Sequence, residues 1–132
     1  MQHGSRRRWG FTLVVSLLGA VAVLFAACGV AAHTGVEAVG GSPSAGNAAL
    51  QRYACGSCHT IPGVPNARGL VGPPLNNIGV RRIIAGKLPN TPDQLQQWIQ
   101  NPQAVWPGNA MPDENVSDQD ARDMAAYLYT LK

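Results

Sequence analysis

Two cysteines three positions apart, with a histidine directly after the second, are the residues of this chain best suited to chemistry. They are Cys55, Cys58 and His59, within the stretch ACGSCHTI. Such a group can serve as a dithiol that cycles with a disulfide, as part of a zinc site, or as the attachment point of a covalent haem. The rest of the chain has to distinguish these three uses.

The other residues of the folded part favour haem attachment. A zinc site takes four nitrogen, sulfur or oxygen ligands, and the folded part contains no further cysteine or histidine. A redox-active dithiol belongs near a strand-helix-strand unit, whereas here a helix is predicted before the motif and no strand beside it. In Cys-x-x-Cys-His, both sulfurs bind the haem and the histidine becomes an iron ligand. We therefore expect one covalent haem c, with His59 on the iron.

Length and composition indicate one small domain behind an export or anchoring segment. The chain has 132 residues, of which 45% are hydrophobic and 13% charged. Arg6, Arg7 and Arg8 precede an uncharged run from Trp9 to Val36, which is typical of such a segment. The net charge of +3 becomes zero without these three arginines. The excess positive charge of the chain therefore lies in the N-terminal export or anchoring segment. The net charge of the rest gives no support to nucleic-acid binding.

The N-terminal segment has three physically possible endings. The run from Phe11 to Ala32 forms about 33 Å of helix if it stays uncleaved, enough to span a bilayer. A signal peptidase could instead cut after Ala32. Leu24 to Cys28 also resembles the lipobox of bacterial lipoproteins, in which Cys28 would be acylated, although Phe25 departs from that pattern.

The predicted organisation follows from this segment. It comprises a signal peptide or anchor over 1–28, a flexible tether rich in Gly, Ala and Ser over 29–45, and a folded domain over 46–132. We expect an exported protein at the outer face of the bacterial cytoplasmic membrane or in the periplasm, held to the membrane by its N-terminus or by lipid.

The folded domain is predicted to be all-α. A helix over Asn47 to Ala54 runs into the motif, a second begins at Thr91 and stops at Asn101-Pro102, and a third begins at Ser117. Between them, residues 60–90 are rich in Gly, Pro and Asn and show no regular period. Three short helices and a long irregular segment make a poor core by themselves, so a bound prosthetic group is expected to complete it.

Several further motifs follow the cysteines in a fixed order. They are Gly72-Pro73-Pro74-Leu75, Asn101-Pro102, the stretch PGNAMP over 107–112, and Ala126-Tyr127-Leu128. Together with Cys55-Gly56-Ser57-Cys58-His59, this set resembles the class I cytochromes c over Gly46 to Lys132. The resemblance implies a small fold of three to five helices wrapped around one covalently bound haem.

The resemblance also implies a ligand set. The Pro73 carbonyl is expected to accept a hydrogen bond from His59, and Met111 is expected to be the second axial ligand of the iron. No open coordination position then remains. We therefore expect an electron carrier with no catalytic residues and no small-molecule substrate, rather than an enzyme.

Three further residues are expected near the haem by the same resemblance. Arg81 is placed where many relatives carry an arginine beside a haem propionate, although a solvated surface arginine would look the same in sequence. Trp98 is placed on the methionine side of the haem, and Asn109 flanks the ligand loop. A helix-core tryptophan would also fit position 98.

The motif order is similar to the haem domain that some bacterial haem-copper oxidases carry fused to subunit II. We expect a stand-alone, membrane-tethered relative without the copper-binding domain. It would carry electrons between a quinol-oxidising complex or dehydrogenase and a terminal oxidase. Two other functions stay open, namely the haem-bearing subunit of a periplasmic dehydrogenase and a haem-based gas sensor.

Charge is divided between the two halves of the folded part. Residues 34–90 contain five basic residues and one acid, a net +4, while residues 91–132 contain two basic residues and six acids, a net −4. If the basic half surrounds the haem edge, it would steer the protein toward an acidic partner.

Overall fold

The computed structural model describes residues 39–132, and most of the regular structure in this part is helical. The α-helices of this part are α1 (Pro43–Arg52), α2 (Pro92–Gln100), α3 (Pro102–Val105) and α4 (Asp118–Leu128). Two 3-10 helices, Cys55–Ser57 and Ile78–Val80, and a small hairpin of β1 (Ile83–Ile84) and β2 (Leu88–Pro89) complete the order. The predicted all-α class is confirmed. The predictions for Cys28, for 1–28 and for most of the tether lie outside the described residues.

Side-chain caps start the three longer helices. The hydroxyl oxygens of Ser42, Thr91 and Ser117 accept hydrogen bonds from backbone N–H groups of the first turns of α1, α2 and α4. Each bond satisfies a donor that a helix start otherwise leaves unpaired. The predicted starts of α2 and α4 are confirmed. Within residues 39–132, we find no helix with the length and apolar character needed to cross a membrane.

The first helix begins earlier than the sequence pattern predicts. It starts at Pro43 rather than Asn47, because Ser42 caps it and Pro43 supplies the fixed φ that suits a first helical position. It ends at Arg52 rather than Ala54. Ala54 has a left-handed φ of 51°, and this turn sends the chain directly into the cysteine motif.

Helices α1 and α4 cross in close contact at Gly46. A Cβ at this position would overlap the backbone carbonyl oxygen of Asp123 in α4. The Asp123 carboxylate, only 6% exposed, accepts hydrogen bonds from the Ser42 backbone N–H at 2.7 Å and from Gln119 Nε2 at 3.1 Å. The crossing is therefore fixed both by backbone contact and by a buried carboxylate that binds the start of α1.

A second contact between the same helices joins the end of α1 to the start of α4. One Asp120 carboxylate oxygen lies 2.5 Å from Arg52 Nη2, and the other accepts hydrogen bonds from the Tyr53 hydroxyl at 2.9 Å and from the Ser117 hydroxyl at 3.0 Å. Tyr53, and then Ser117 and Arg52, favour the ionised form, so the pKa of Asp120 lies below its ordinary value.

We expect this cluster to make stability fall in acid. A carboxyl group with a lower pKa in the folded than in the unfolded state contributes stability above its unfolded pKa of about 3.9. That stability is lost as the pH falls through the folded pKa. The substitution Asp120→Asn should lower the free energy of unfolding at pH 7, and the difference from wild type should shrink below about pH 5.

Urea unfolding of the haem-loaded protein between pH 7 and pH 2 measures this difference. Asp93→Asn is the matched control, because Asp93 also lies in the first turn of a helix and its side chain has no hydrogen-bond or ion-pair partner among residues 39–132. A difference between Asp120→Asn and wild type that is constant over the whole pH range would contradict the proposed role of the charge.

The segment of residues 60–90 is irregular, as expected, but it contains a hairpin that was not predicted. Strands β1 and β2 are two residues each, and the turn between them contains Ala85 and Gly86, both with positive φ. The Asn90 amide nitrogen donates to the carbonyls of Ile78 and Arg81, and its oxygen accepts from the Tyr129 hydroxyl. Asn90 thereby ties the irregular segment to the residue after α4.

Candidate haem site

A cavity of about 550 Å³ lies at the centre of the described part of the chain. Its size falls in the range of roughly 300–1,000 Å³ that is usual for cofactor sites. Most of its wall is apolar, and helices α1, α2 and α4, the hairpin and the loops between these elements contribute to it. The residues that line it include Leu50, Cys55, Cys58, His59, Leu75, Leu95, Trp98, Ile99, Met111, Met124 and Leu128.

The histidine ring is held by the loop that follows it. His59 Nδ1 lies 2.8 Å from the Pro73 carbonyl oxygen, and because a carbonyl only accepts, Nδ1 carries the proton. The lone pair is then on Nε2, the nitrogen suited to bind a metal, and the hydrogen bond fixes the tautomer and the orientation of the ring. A Cβ at Gly72 would overlap the His59 ring, so this position must be glycine for the loop to approach the ring.

The two cysteines line the same cavity wall as the histidine. Cys55 and Cys58 are not joined by a disulfide, and the His59 backbone N–H donates to the Cys55 carbonyl at 3.0 Å across the short 3-10 helix. Burial raises the pKa of the Cys55 thiol to about 11. A redox-active dithiol requires the opposite, a thiol with a lowered pKa. The motif also follows a helix and not a strand, so the structure favours haem attachment over a dithiol centre.

Met111 lies in an irregular loop whose backbone is held by two side-chain amides. The Met111 N–H donates to Asn109 Oδ1 at 2.7 Å, and its carbonyl accepts from Gln103 Nε2 at 2.7 Å. Asn109 was expected to lie near the haem. It lines the cavity, and its amide nitrogen bonds the carbonyls of Pro102 and Trp106. Gln103 was missed, although an irregular loop that cannot pair its own backbone groups requires side chains that do.

The remaining predicted residues also lie at the cavity. Trp98 lines it from α2. Arg81 lines it too, and one of its guanidinium nitrogens donates to the carbonyls of Pro74 and Asn76, each at 2.7 Å. The Arg81 side chain therefore supports the loop that carries the Pro73 carbonyl, a contact that was not expected from the sequence.

The side chains present fit a covalent haem and do not fit a protein-ligated metal ion. No group of three or more His, Cys, Asp or Glu residues within 39–132 could hold a metal ion. The cavity instead combines an apolar wall, two thiols, an imidazole with its Nε2 lone pair available, and the thioether of Met111. Thiols, imidazole and thioether are the groups by which c-type haem is attached and ligated.

The fold and the cavity define a small helical domain of the kind that binds haem c. The family model described as cytochrome c matches residues 44–132. The chain belongs to the cytochrome c family, and its cofactor is a covalently bound haem c.

One curated protein is similar in sequence to most of the folded part of this chain. The chain is 36% identical over 88 residues to a protein named cytochrome c oxidase subunit 2 from Alkalihalophilus pseudofirmus. The matched region covers 66% of this chain and 25% of that protein, so the chain spans about a quarter of the length of the relative. No solved structure shows a significant match.

Proposed function

We propose that this protein is a membrane-tethered carrier of single electrons that serves a respiratory complex. The observation that carries the proposal is that Cys55, Cys58, His59 and Met111 all line one apolar cavity, with His59 Nδ1 bonded to the Pro73 carbonyl. When bound, the haem supplies one iron that gains or loses one electron. The chain attaches the haem through its two cysteines, supplies the two proposed ligands of the iron, and surrounds the haem with an apolar wall.

In this proposal His59 and Met111 are the residues that would hold the haem iron. A thioether stabilises reduced iron and raises the reduction potential relative to two nitrogen ligands. If both residues held the iron, no position would be left for oxygen or another substrate, and the haem would then serve a carrier and not an enzyme or a gas sensor. Arg81 and Trp98 are proposed to complete the surroundings of the haem from the cavity wall.

The proposed partner is a terminal oxidase, with a quinol-oxidising complex or dehydrogenase as the source of electrons. The support is the similarity to a protein named as a subunit of cytochrome c oxidase. We propose that the haem domain here acts from a tether of its own. The alternative, a haem subunit of a periplasmic dehydrogenase, would show itself by co-purification with a larger catalytic chain.

The rim of the cavity suggests how such a partner would dock. Three side chains that line the cavity are unusually exposed for apolar residues, namely Val71 (73%), Ile83 (51%) and Trp106 (43%). Lys87 lies with its ammonium nitrogen 4.3 Å from the centre of the Trp106 ring. One acid, Glu114, also lines the cavity. The exposed rim is thus apolar with a lysine beside Trp106, and this supports a partner surface that offers an acidic group to Lys87.

We expect the association rate with a purified terminal oxidase to fall by about tenfold as salt is raised from low to high concentration. Lys87→Gln should lower the rate at low salt by about twofold and flatten the salt dependence. Stopped-flow oxidation of the reduced protein measures both effects. Lys132→Gln is the control, because it also removes one lysine charge and Lys132 does not line the cavity. An association rate that does not change with ionic strength would contradict docking guided by the charge of Lys87.

The proposed location is the outer face of the cytoplasmic membrane or the periplasm. The support is the arginine cluster before an uncharged run in the sequence. The mass of the mature chain distinguishes an uncleaved anchor, cleavage after Ala32, and an acylated Cys28.

A further inference from the structure

The loop that carries Met111 is organised around the side chain of Gln103. Its Nε2 donates to the carbonyls of Asn109 at 2.9 Å and Met111 at 2.7 Å, and its Oε1 accepts from the Gly108 N–H at 3.1 Å. The Gln103 backbone N–H also donates to Asp113 Oδ1 at 3.2 Å. Gln103 thus forms hydrogen bonds with residues that precede Met111, with Met111 itself, and with Asp113 after it.

Asn109 completes the arrangement from inside the loop. Its Oδ1 accepts the Met111 N–H at 2.7 Å, while its Nδ2 donates to the carbonyls of Pro102 at 2.9 Å and Trp106 at 2.7 Å. Both backbone polar groups of Met111 are therefore held by side-chain amides, the N–H by Asn109 and the carbonyl by Gln103. A regular helix or strand would make these bonds with backbone partners.

The consequence concerns the freedom of the sulfur atom. A methionine side chain has three rotatable bonds and adapts easily to its surroundings. The position of its sulfur is therefore defined only as well as the position of its backbone. Half-buried Gln103 fixes that backbone from one side of the loop, and its amide has its three bonds within residues 108–111.

We propose that Gln103 is a positioning residue that controls how readily Met111 leaves the iron and yields its place to an external ligand. This inference rests on the proposed ligand role of Met111. Gln103 does not touch the reacting atoms in this proposal. It acts through the Met111 carbonyl, and its removal lets the loop move without loss of the thioether itself.

The test is the rate at which imidazole replaces the sixth ligand of the oxidised, haem-loaded protein. Gln103→Met keeps the length of the side chain and removes its amide. The loss of the three hydrogen bonds that this amide makes, each of ordinary strength, corresponds to roughly one to three orders of magnitude in an equilibrium constant. We expect imidazole to bind at least about tenfold faster than in wild type, while the absorption band of the sulfur-ligated ferric form remains visible before imidazole is added.

Two further variants keep the test decisive. Gln97→Met is the matched control, because Gln97 is exposed on α2 and its side chain has no hydrogen bond within residues 39–132; it should exchange at the wild-type rate. If Gln103→Met does not accumulate with haem, Gln103→Glu serves instead, since it keeps the acceptor for the Gly108 N–H and loses both donors.

An exchange rate within about twofold of wild type in the Gln103 variant overturns the inference, since even one ordinary hydrogen bond should change the rate more than this. Met111→Ala separates this failure from a failure of the proposed ligand set. If Met111→Ala abolishes the sulfur band and Gln103→Met leaves exchange unchanged, Met111 is the ligand and Gln103 does not position it. If the band survives Met111→Ala, the ligand assignment is wrong and the inference fails with it.

Discussion

Replacing Met111 by alanine should lower the reduction potential, abolish the absorption band of sulfur-ligated ferric haem, and let carbon monoxide bind the reduced protein. A thioether ligand raises the potential, and axial ligation as a whole sets haem potentials over about 0.8 V, so we expect a fall of at least about 0.1 V. Redox titration, absorption spectra and carbon monoxide binding measure the three effects on one sample.

Met124→Leu is the matched control for this substitution. Met124 also lines the cavity, but it is a fully buried core residue of α4 with no exposed surface. Leucine has a similar volume, so this change should cost less than about 1.5 kcal/mol and leave the sulfur band in place. If the band were lost in Met124→Leu and kept in Met111→Ala, Met124 would be the ligand of the iron and Met111 would not.

Gly46→Ala should destabilise the domain strongly, although helix propensity alone predicts the reverse. Alanine is favoured over glycine inside a helix by up to about 1 kcal/mol. At Gly46, however, the added Cβ would overlap the Asp123 carbonyl oxygen, and a backbone atom cannot move aside as a side chain can. We expect a net loss of about 3 kcal/mol or more, near the upper end of overpacking effects.

Thermal unfolding followed by circular dichroism shows directly whether Gly46→Ala raises or lowers the stability of the domain. For a domain of this size the loss corresponds to a fall of roughly 12 to 24 °C in Tm. Ala48→Val is the control, since it adds a larger group to an exposed position of α1 and should cost less than about 1 kcal/mol. A Tm equal to or above that of wild type in Gly46→Ala would show that α1 and α4 do not cross in contact at this glycine.

The helix boundaries were predictable from sequence wherever a capping residue stood beside a clear apolar period. Thr91 and Ser117 marked α2 and α4 correctly because a hydroxyl cap and an amphipathic run coincide there. The start of α1 was misplaced because Ser42-Pro43 stands in a stretch of small residues without an apolar period. The hairpin of β1 and β2 was missed because two-residue strands are too short to show alternation.

The motifs predicted side chains that do line one cavity, but they did not predict the side chains that hold the loops around it. The motif types place Cys55, Cys58 and His59 in one wall, and the hydrogen bond between His59 and the Pro73 carbonyl is present as the family resemblance implied. The contacts of Gln103 and of Arg81 with loop carbonyls were not predictable. A polar side chain that binds distant backbone groups leaves no periodic pattern, because its partners are set by tertiary structure.

The way the two proposed ligands are held has a consequence for the speed of electron exchange. The His59 ring is fixed by the Pro73 carbonyl, and the Met111 backbone by the amides of Gln103 and Asn109. Groups that are already oriented before a change of charge cost no reorganisation when the change occurs. A carrier built in this way has little structure to rearrange when the iron gains or loses an electron, so rearrangement of the protein adds little to the activation barrier of the transfer.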